Sequence, residues 1–459
     1  MSSEGDSRRE KRADGHDAGE KLPRTSVSTR QQHIAKMAKK YAGSPLTTLS
    51  HHIDLLWLRE AYGKVRRDSA PGVDGQTVAD YGERLEANLK SLLERAHQGT
   101  YRAPPVKRVH IPKNETETRP IGLPTVEDKV LARAVVMLLE PVYEQEFLDC
   151  SYGFRPGRSP HQALEALRTA VMAMAGGWVV DVDVRKFFDT IPKQKLREAL
   201  RRRIKDGVID RLVGKWLRAG VWEDGCMTYP EAGTPQGSVI SPMLSNVFLH
   251  EVLDCWFMRE IKPKLRGQAE LIRFADDFVV VCQKRDDAEA LLAQVKERFQ
   301  SYGLAIHPEK TRIVDFHSPW KNDQKPQTFD FLGFTHYWAK TRRGGYSVHR
   351  KTKAKKVHSA LKNVWVWCKR HRHEPVAVQH RYLCAQVLGH YAYYGIRGNS
   401  RALTDFYRGV GRVWHYWMNN RSREPNNAAR LWKLLTMHLR LPPPRLVHHS
   451  DTPMPTLSF

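Results

Sequence analysis

No stretch of the chain approaches 18 uninterrupted apolar residues, so a conventional membrane-spanning helix is not expected. The first 40 residues also lack the apolar core of a secretory signal, which argues against export and for a cytoplasmic, nucleoid-associated location. Cysteine is sparse: six residues, at 150, 226, 255, 282, 368 and 384, none in a C-x-x-C pair. That spacing fits reduced thiols and speaks against a zinc ribbon or a disulfide frame. The run "CKRHRH" at 368–373 offers metal donors, but a basic, solvated helix end is the plainer reading. Acid is scarce toward the end of the chain: from Phe331 onward, 23 Lys and Arg face four Asp and Glu, a net +19.

What is present is base. The 459 residues carry 75 Lys and Arg against 50 Asp and Glu, a net charge of +25, with 41% hydrophobic content. Such a chain suits two or three globular domains and a polyanionic partner, nucleic acid before an anionic membrane surface.

Residues 1–50 read as a flexible basic tail, since the first 30 hold almost no large apolar side chains. From about residue 51 the apolar spacing is helical (Ile53, Leu56, Trp57, Ala61), and Leu85, Leu89, Leu92 and Leu93 mark another helix. "VKRVHIPK" (106–113) alternates like a strand, and "TVEDKVLARAVVMLLEPVYEQEF" reads as a long helix. "GWVVDVDVRKFFDTI" (177–191) predicts a buried strand entering a turn, and "LIRFADDFVVVC" (271–282) a hairpin, followed by a helix and the strand-like "TRIVDF". That order suggests an α+β unit with antiparallel strands. Beyond "FDFLGF" (329–334) cations crowd the chain and helical stripes return: Leu383, Val387, Tyr391 and Tyr394, then Leu403, Phe406, Val410, Val413 and Trp417.

Two adjacent carboxylates, Asp276 and Asp277, sit in the predicted hairpin turn, where Asp is common for its local hydrogen bonding. A second acidic strand end changes their meaning: alternation puts Asp181 and Asp183 on one face of "WVVDVDV". Carboxylates converging on one sheet edge repel unless cations neutralise them, and hard oxygen donors of this kind select Mg²⁺. Two ions roughly 3.5–4 Å apart would serve phosphoryl transfer.

At this point a resemblance enters. "VDVRKFFD", "GTPQGSVISPMLSNVFL", "RFADDFVVV", "HPEKTRIV" and "FDFLGF" follow the order and spacing of a reverse-transcriptase palm. "APGVDGQT", "IPKNETETRPIGLPTVEDKVL" and "YGFRPGRSPHQAL" resemble the fingers of bacterial group II intron-encoded reverse transcriptases, and "LGHYAYYGIRGNS" resembles their maturase-specific domain X. The resemblance implies an α+β right-hand polymerase, fingers and palm with an antiparallel sheet, followed by an α-helical thumb and maturase domain. Its boundaries fall at 51–335 for fingers and palm and 336–445 for thumb and domain X, with 446–459 a tail. It implies RNA-directed DNA synthesis with two Mg²⁺ (Mn²⁺ able to substitute), and binding of group II intron RNA, a DNA primer or target and dNTPs, with no membrane.

Residue by residue, the resemblance makes Asp183, Asp276 and Asp277 catalytic and, with the Val184 carbonyl, metal-binding, leaving Asp181 a neighbour. Phe188 matches the steric gate that favours dNTPs, Lys113 and Arg119 the residues that hold the triphosphate, and Gln236, beside Gly237, the nucleotide pocket. Lys310 supports the palm. For RNA contact the expected residues are Lys340, Arg342, Arg343, Arg350, Lys351, Lys353, Lys355 and Lys356. Tyr391, Tyr394 and Trp417 are expected to face inward.

Two departures stand out. The family hairpin usually reads Tyr-Ala-Asp-Asp, whereas Phe274 stands here, and the chain ends soon after "PPPRLVH", so a Cys-rich HNH endonuclease is not expected. Two other readings stay open on sequence: a domesticated relative serving phage defence or spacer acquisition, and an RNA-binding splicing cofactor without polymerase activity.

Overall fold

Ser26 opens the first helix. Its backbone is extended and its hydroxyl accepts the Thr29 amide at 3.2 Å, capping α1 (Val27–Lys40). The computed structural model describes residues 26–112, 117–234, 237–319, 326–421, 437 and 439–448. Helix α1 corrects the expectation of a tail through residue 50. Val27, Ile34 and Ala38 are buried, and Gln31 Nε2 donates to the Met137 carbonyl at 2.9 Å. Three apolar positions on one face suffice to dock a helix; diluted among polar residues, they left the mean composition tail-like.

Asp54 caps α2 (Leu55–Gly63), and Thr77 with Asp80 forms a reciprocal capping box on α3 (Val78–Glu83), which leads into α4 (Leu85–Gln98). Strands β1 (Val106–Pro112) and β2 (Thr118–Leu123) pair antiparallel, Ile111 opposite Arg119. Helix α5 (Val126–Tyr143) follows and is buried along almost its whole length. Trp57, fully buried, donates its indole N–H to the Ala134 carbonyl at 2.9 Å, tying α2 to α5.

Helix α6 (Pro160–Ala173) precedes β3 (Trp178–Val182) and the short α7 (Phe187–Thr190). Helices α8 (Lys193–Arg203) and α9 (Gly207–Arg218) lead to β4 (Val221–Glu223) and β5 (Cys226–Thr228), which return to the first hairpin as an outer sheet of order β2-β1-β4-β5. Helix α10 (Ser241–Leu249) continues through π-helical turns at His250–Asp254 and Phe257–Ile261. Then come β6 (Ala269–Phe274), β7 (Asp277–Cys282), α11 (Arg285–Ser301) and β8 (Arg312–Asp315).

The central sheet has order β6-β7-β3-β8, every pair antiparallel. Both faces are covered. Val180, Val182, Phe278 and Val280 join the core shared with α5, α10 and α11, while Val179, Val279 and Val281 pack toward α6 and the chain beyond residue 328. That is why "FVVV" reads as a continuous apolar run rather than an alternation.

The expected boundary between residues 335 and 336 cuts through a sheet. Strands β9 (Phe329–Phe331), β10 (Phe334–Lys340) and β11 (Tyr346–Thr352) form one antiparallel unit, whose Phe334, Trp338 and Val348 complete the core over α6. Trp338 donates to the Phe316 carbonyl at 3.1 Å. The helical C-terminal region begins only at α12 (Ala354–Arg370) and continues through α13 (Val376–Tyr394) and α14 (Ser400–Asn419), around Leu383, Tyr391, Phe406 and Trp414. Tyr391 is buried as expected, whereas Tyr394 and Trp417 are half-buried. Cys368 is buried in this bundle, and among the described residues no metal-holding cluster forms around it.

Because α1 docks through so few side chains, Ile34→Ala removes a large share of its anchor. The expected cost is about 2–5 kcal/mol, measured as a lowered thermal unfolding midpoint.

Candidate active site

Phe274 and Asp277 are paired across β6 and β7, so the hairpin turn is Ala275-Asp276. Ala275 takes the left-handed conformation, φ 59°, which costs a non-glycine residue free energy and must be held by its surroundings. The holder is Arg273. Fully buried, its guanidinium donates to the Ala275 carbonyl at 3.0 Å, to Asn246 Oδ1 at 3.0 Å and to Asp254 Oδ1 at 2.7 Å. Asp254 is itself fully buried, at the end of the first π-helical turn. Asn246 donates onward to the Gly153 carbonyl at 2.7 Å, and a side chain on Gly153 would come within 2.3 Å of the Ala275 nitrogen. Glycine is needed there for close approach. The main chain of 150–152 also hydrogen-bonds Arg273 in both directions at 2.8 Å. Sequence reasoning missed Arg273, Asp254 and Asn246; for the first two the signal was charge inside apolar runs, "LIRFADD" and "EVLDCWF".

Two strands bring the carboxylates together. Val182 pairs with Phe278, so the next step in register sets Asp183 beside Asp277, and Asp181 shares their face of the sheet. Asp181, Asp183 and Asp277 line one cavity of about 380 Å³ with Lys310, Lys353 and Asp330. Loss of water, and then the charges of Asp181, Asp276 and Asp183, push the Asp277 carboxyl up to about 7. Asp277 is nevertheless an exposed residue, open to solvent on one side of the turn. Burial raises Asp181 to about 6, against the pull of Arg312 at 3.4 Å. Asp276 is also raised, by burial, with Arg119 favouring its ionised form and Asp183 opposing it. As the side chains lie, no three His, Cys, Asp or Glu among the described residues stand close enough to hold an ion.

The backbone of Asp183 is clamped from the "HPEKT" side. His307 N–H donates to the Asp183 carbonyl at 2.7 Å and Arg185 N–H to that of Ala305 at 2.8 Å, flanking the Val184–Ile306 bridge. In an antiparallel pair bonded this way, the Val184 carbonyl points away from residues 305–307. Lys310 Nζ lies 3.8 Å from the Asp183 carboxylate.

Phe188 is half-buried on α7, and Phe187 beside it is buried. The Phe188 carbonyl accepts the Thr234 amide at 2.7 Å, and a side chain on Gly237 would meet the Gly122 carbonyl at 2.5 Å. Thr234 therefore lies beside α7, and Gly237 beside β2. Gln236 and Lys113 lie outside the described residues. Arg119 is exposed on β2, within electrostatic range of Asp276. The Phe274 ring, where a tyrosine was the expectation, lies 6.4 Å from the exposed Phe154 ring.

Of the cations expected at RNA, Lys340, Arg342, Arg343, Lys351, Lys355 and Lys356 are exposed, and Lys353 pairs with Asp330 at 2.9 Å. Arg350 is a correction. It is buried, pairs with Glu165 on α6 at 2.8 Å and ties β11 to the core, because strand alternation turns it inward beside Val348 and Thr352.

A family model described as reverse transcriptase (RNA-dependent DNA polymerase) matches residues 111–336. The chain is 32% identical over 342 residues to protein YkfC of Escherichia coli, covering 65% of this chain and 87% of that protein. It is 39% identical over 244 residues to the group II intron-encoded protein LtrA of Lactococcus lactis, covering 50% of this chain and 40% of LtrA. It is 30% identical over 95 residues to nuclear intron maturase 1 of Arabidopsis thaliana, 21% of this chain and 13% of that protein. The chain thus spans less than half of LtrA.

Asp254→Asn leaves the Arg273 charge buried without its counter-ion, and the expected loss is about 3–5 kcal/mol in thermal unfolding. Replacing the pair together, Arg273→Met with Asp254→Leu, should recover most of that stability while leaving the turn carbonyl without its donor.

Proposed function

We propose a function from one premise: the chain belongs to the group II intron-encoded reverse transcriptases and maturases. It copies RNA into DNA and assists the splicing and mobility of its intron RNA. The observation that carries this reading is the meeting of Asp183, one residue beyond β3, with the Asp276-Asp277 turn between β6 and β7, where Asp183 and Asp277 line one cavity and Arg119 lies within electrostatic range of Asp276.

The donor set suits hard divalent cations: carboxylates that burial first, and then one another's charge, keep above their usual range at Asp277 and Asp276, beside a backbone carbonyl at Val184. Two Mg²⁺, for which Mn²⁺ would substitute, supply charge neutralisation at the attacking and leaving oxygens when bound. Asp183 and Asp276 would hold both ions, and Asp277 and the Val184 carbonyl would complete the set. Asp181 stays outside it, occupied by Arg312.

Arg119, with Lys113, holds the triphosphate, the guanidinium by paired hydrogen bonds. Phe188 occupies the space a 2′-hydroxyl would need, and Gln236 lines the base side of the pocket. The primer 3′-oxygen then bonds the α-phosphorus as the bond to pyrophosphate breaks, in line. Outside the site, Lys340, Arg342, Arg343, Lys351, Lys355 and Lys356 follow an RNA backbone, and the helical C-terminal region serves as thumb and maturase domain. The partners are group II intron RNA, a DNA primer or target and dNTPs. No described helix is long and apolar enough to cross a membrane, and a cytoplasmic, nucleoid-associated place in a bacterium fits the polyanion-seeking charge.

Purified protein given an RNA template, a DNA primer, Mg²⁺ and dNTPs should make cDNA, and Asp276→Ala should make none. Equal synthesis by that variant would remove the catalytic assignment. Phe188→Ala should raise incorporation of ribonucleotides relative to deoxyribonucleotides by about tenfold or more, read from single-nucleotide extension; an unchanged ratio would end the steric-gate reading.

A further inference from the structure

Two non-glycine residues beside the aspartates hold a left-handed backbone: Ala275 in the hairpin turn, φ 59°, and Phe154 in the loop before α6, φ 55°. They belong to segments in close contact. A Cβ on Gly153 would stand 2.3 Å from the Ala275 nitrogen and 2.9 Å from the Phe274 carbonyl carbon, and the rings of Phe154 and Phe274 are 6.4 Å apart. Strain of this kind persists only where the surroundings over-determine it. Here they do. Before Phe154, the Tyr152 N–H donates to the Arg273 carbonyl at 2.8 Å, and the Arg273 N–H to the Cys150 carbonyl at 2.8 Å. After it, the buried Arg155 donates to the carbonyls of Leu148 at 2.7 Å and Ser151 at 2.8 Å and pairs with Glu144 at 2.9 Å.

Asn246 on α10 joins the two strained segments. It is buried, and both ends of its amide are engaged. Its Oδ1 accepts Arg273 Nη1 at 3.0 Å, the same nitrogen that reaches the Ala275 carbonyl, and its Nδ2 donates to the Gly153 carbonyl at 2.7 Å. An amide supplies an acceptor toward the turn and a donor toward the loop; a carboxylate of the same size supplies only acceptors. Asn246 carries no charge, so what it contributes is separable from the neutralisation of Arg273 by Asp254.

We propose that Asn246 is a positioning residue for the metal-binding aspartates: with Gly153 it fixes the spacing between the loop and the Ala275-Asp276 turn, and so where Asp276 stands relative to Asp183. Mg²⁺ demands near-ideal octahedral geometry, so a small displacement of one carboxylate is felt in affinity. Partners that orient metal ligands are commonly worth ten- to a hundredfold in that affinity. Linkage then requires the converse, that a bound ion steadies the loop. The inference rests on the metal-dependent polymerase reading above.

The test measures Mn²⁺ binding to the full-length protein by electron paramagnetic resonance, without nucleic acid, the site being defined by what Asp276→Ala removes. Asn246→Asp keeps volume and acceptor but loses the donor to Gly153, and should weaken Mn²⁺ about tenfold or more, although added negative charge alone would favour a cation. Gly153→Ala should do the same from the loop side. Ser245→Ala, at a neighbouring buried hydroxyl with no hydrogen-bond partner among the described residues, should bind as the wild type does. In synthesis, the Mg²⁺ needed for half-maximal rate should rise by a similar factor while KM for dNTP at saturating Mg²⁺ holds; a merely structural role would lower the unfolding midpoint and leave the Mg²⁺ requirement alone. Wild-type Mn²⁺ affinity in both Asn246→Asp and Gly153→Ala overturns the proposal. A measurement on the wild type stands even if the variants do not fold: Mg²⁺ should slow hydrogen exchange in residues 150–154 as well as 273–277, and protection confined to 273–277 counts against the coupling. A protein that binds Mn²⁺ through Asp276 and Asn246 yet makes no cDNA would sink the polymerase reading and leave the positioning role in place, whereas Mn²⁺ binding untouched by Asp276→Ala would remove the ion site and this inference with it.

Discussion

The buried pair of Arg273 and Asp254 sits beneath everything the site does. A turn carrying two adjacent aspartates, next to a third on the neighbouring strand, accumulates repulsion, and Ala275 adds a left-handed backbone. Left to itself such a turn would relax by opening. Arg273 prevents this by taking the Ala275 carbonyl from inside the protein, where the hydrogen bond is not shared with water. Asp254 is required because a guanidinium with no exposure cannot stay charged in an apolar core without a counter-ion. The π-helical stretch around 250–254 belongs to the same arrangement, since an extra residue per turn re-aims the side chains that follow.

The same balance of charges explains why the two sides of the carboxylate cluster differ. On the β8 side Arg312 pairs with Asp181, and on the β9 side Lys353 pairs with Asp330, so these acids are compensated by the protein. Asp183 has only a distant, half-exposed Lys310, and Asp276 and Asp277 have no closer ion pair among the described residues. The fold thus neutralises the peripheral aspartates and leaves the central ones needing positive charge. A site with this division is prepared for cations from solution.

The central sheet and its hairpin were legible in the sequence because both obey a simple period: "WVVDVDV" alternates, and "FVVV" is buried on both faces. The amphipathic helix at 285–301 was legible for the same reason. Helix α1 was not, because three buried residues among fourteen do not shift a composition. The β9–β11 sheet hid its allegiance, since "TRRGGYSVHRKTK" looks like a solvated basic run, yet alternation turns Val348 and Arg350 inward. Strands β4 and β5 are three residues each, too short to show a period. At the site, the aspartates could be named from motif order, whereas the Arg273–Asp254–Asn246 support depends on contacts between segments up to 27 residues apart, which no local pattern encodes.

Counting cations therefore overstates what is available to RNA. The last 129 residues carry a net +19, but Arg350 spends its charge on Glu165, and Lys353 on Asp330. Conversely, Arg102 and Arg218 come from the part of the chain before residue 331, whose net charge is only +6, yet both line one cavity of about 530 Å³ that no described Asp or Glu lines. Affinity for a polyanion follows the phosphates a surface can neutralise rather than formal charge per segment. On that measure the described residues present cationic surface both around the β10–β11 hairpin and the start of α12 and at the base of the outer sheet. The outer sheet carries Arg119 toward the aspartates at one end and opens into the second cationic surface at the other.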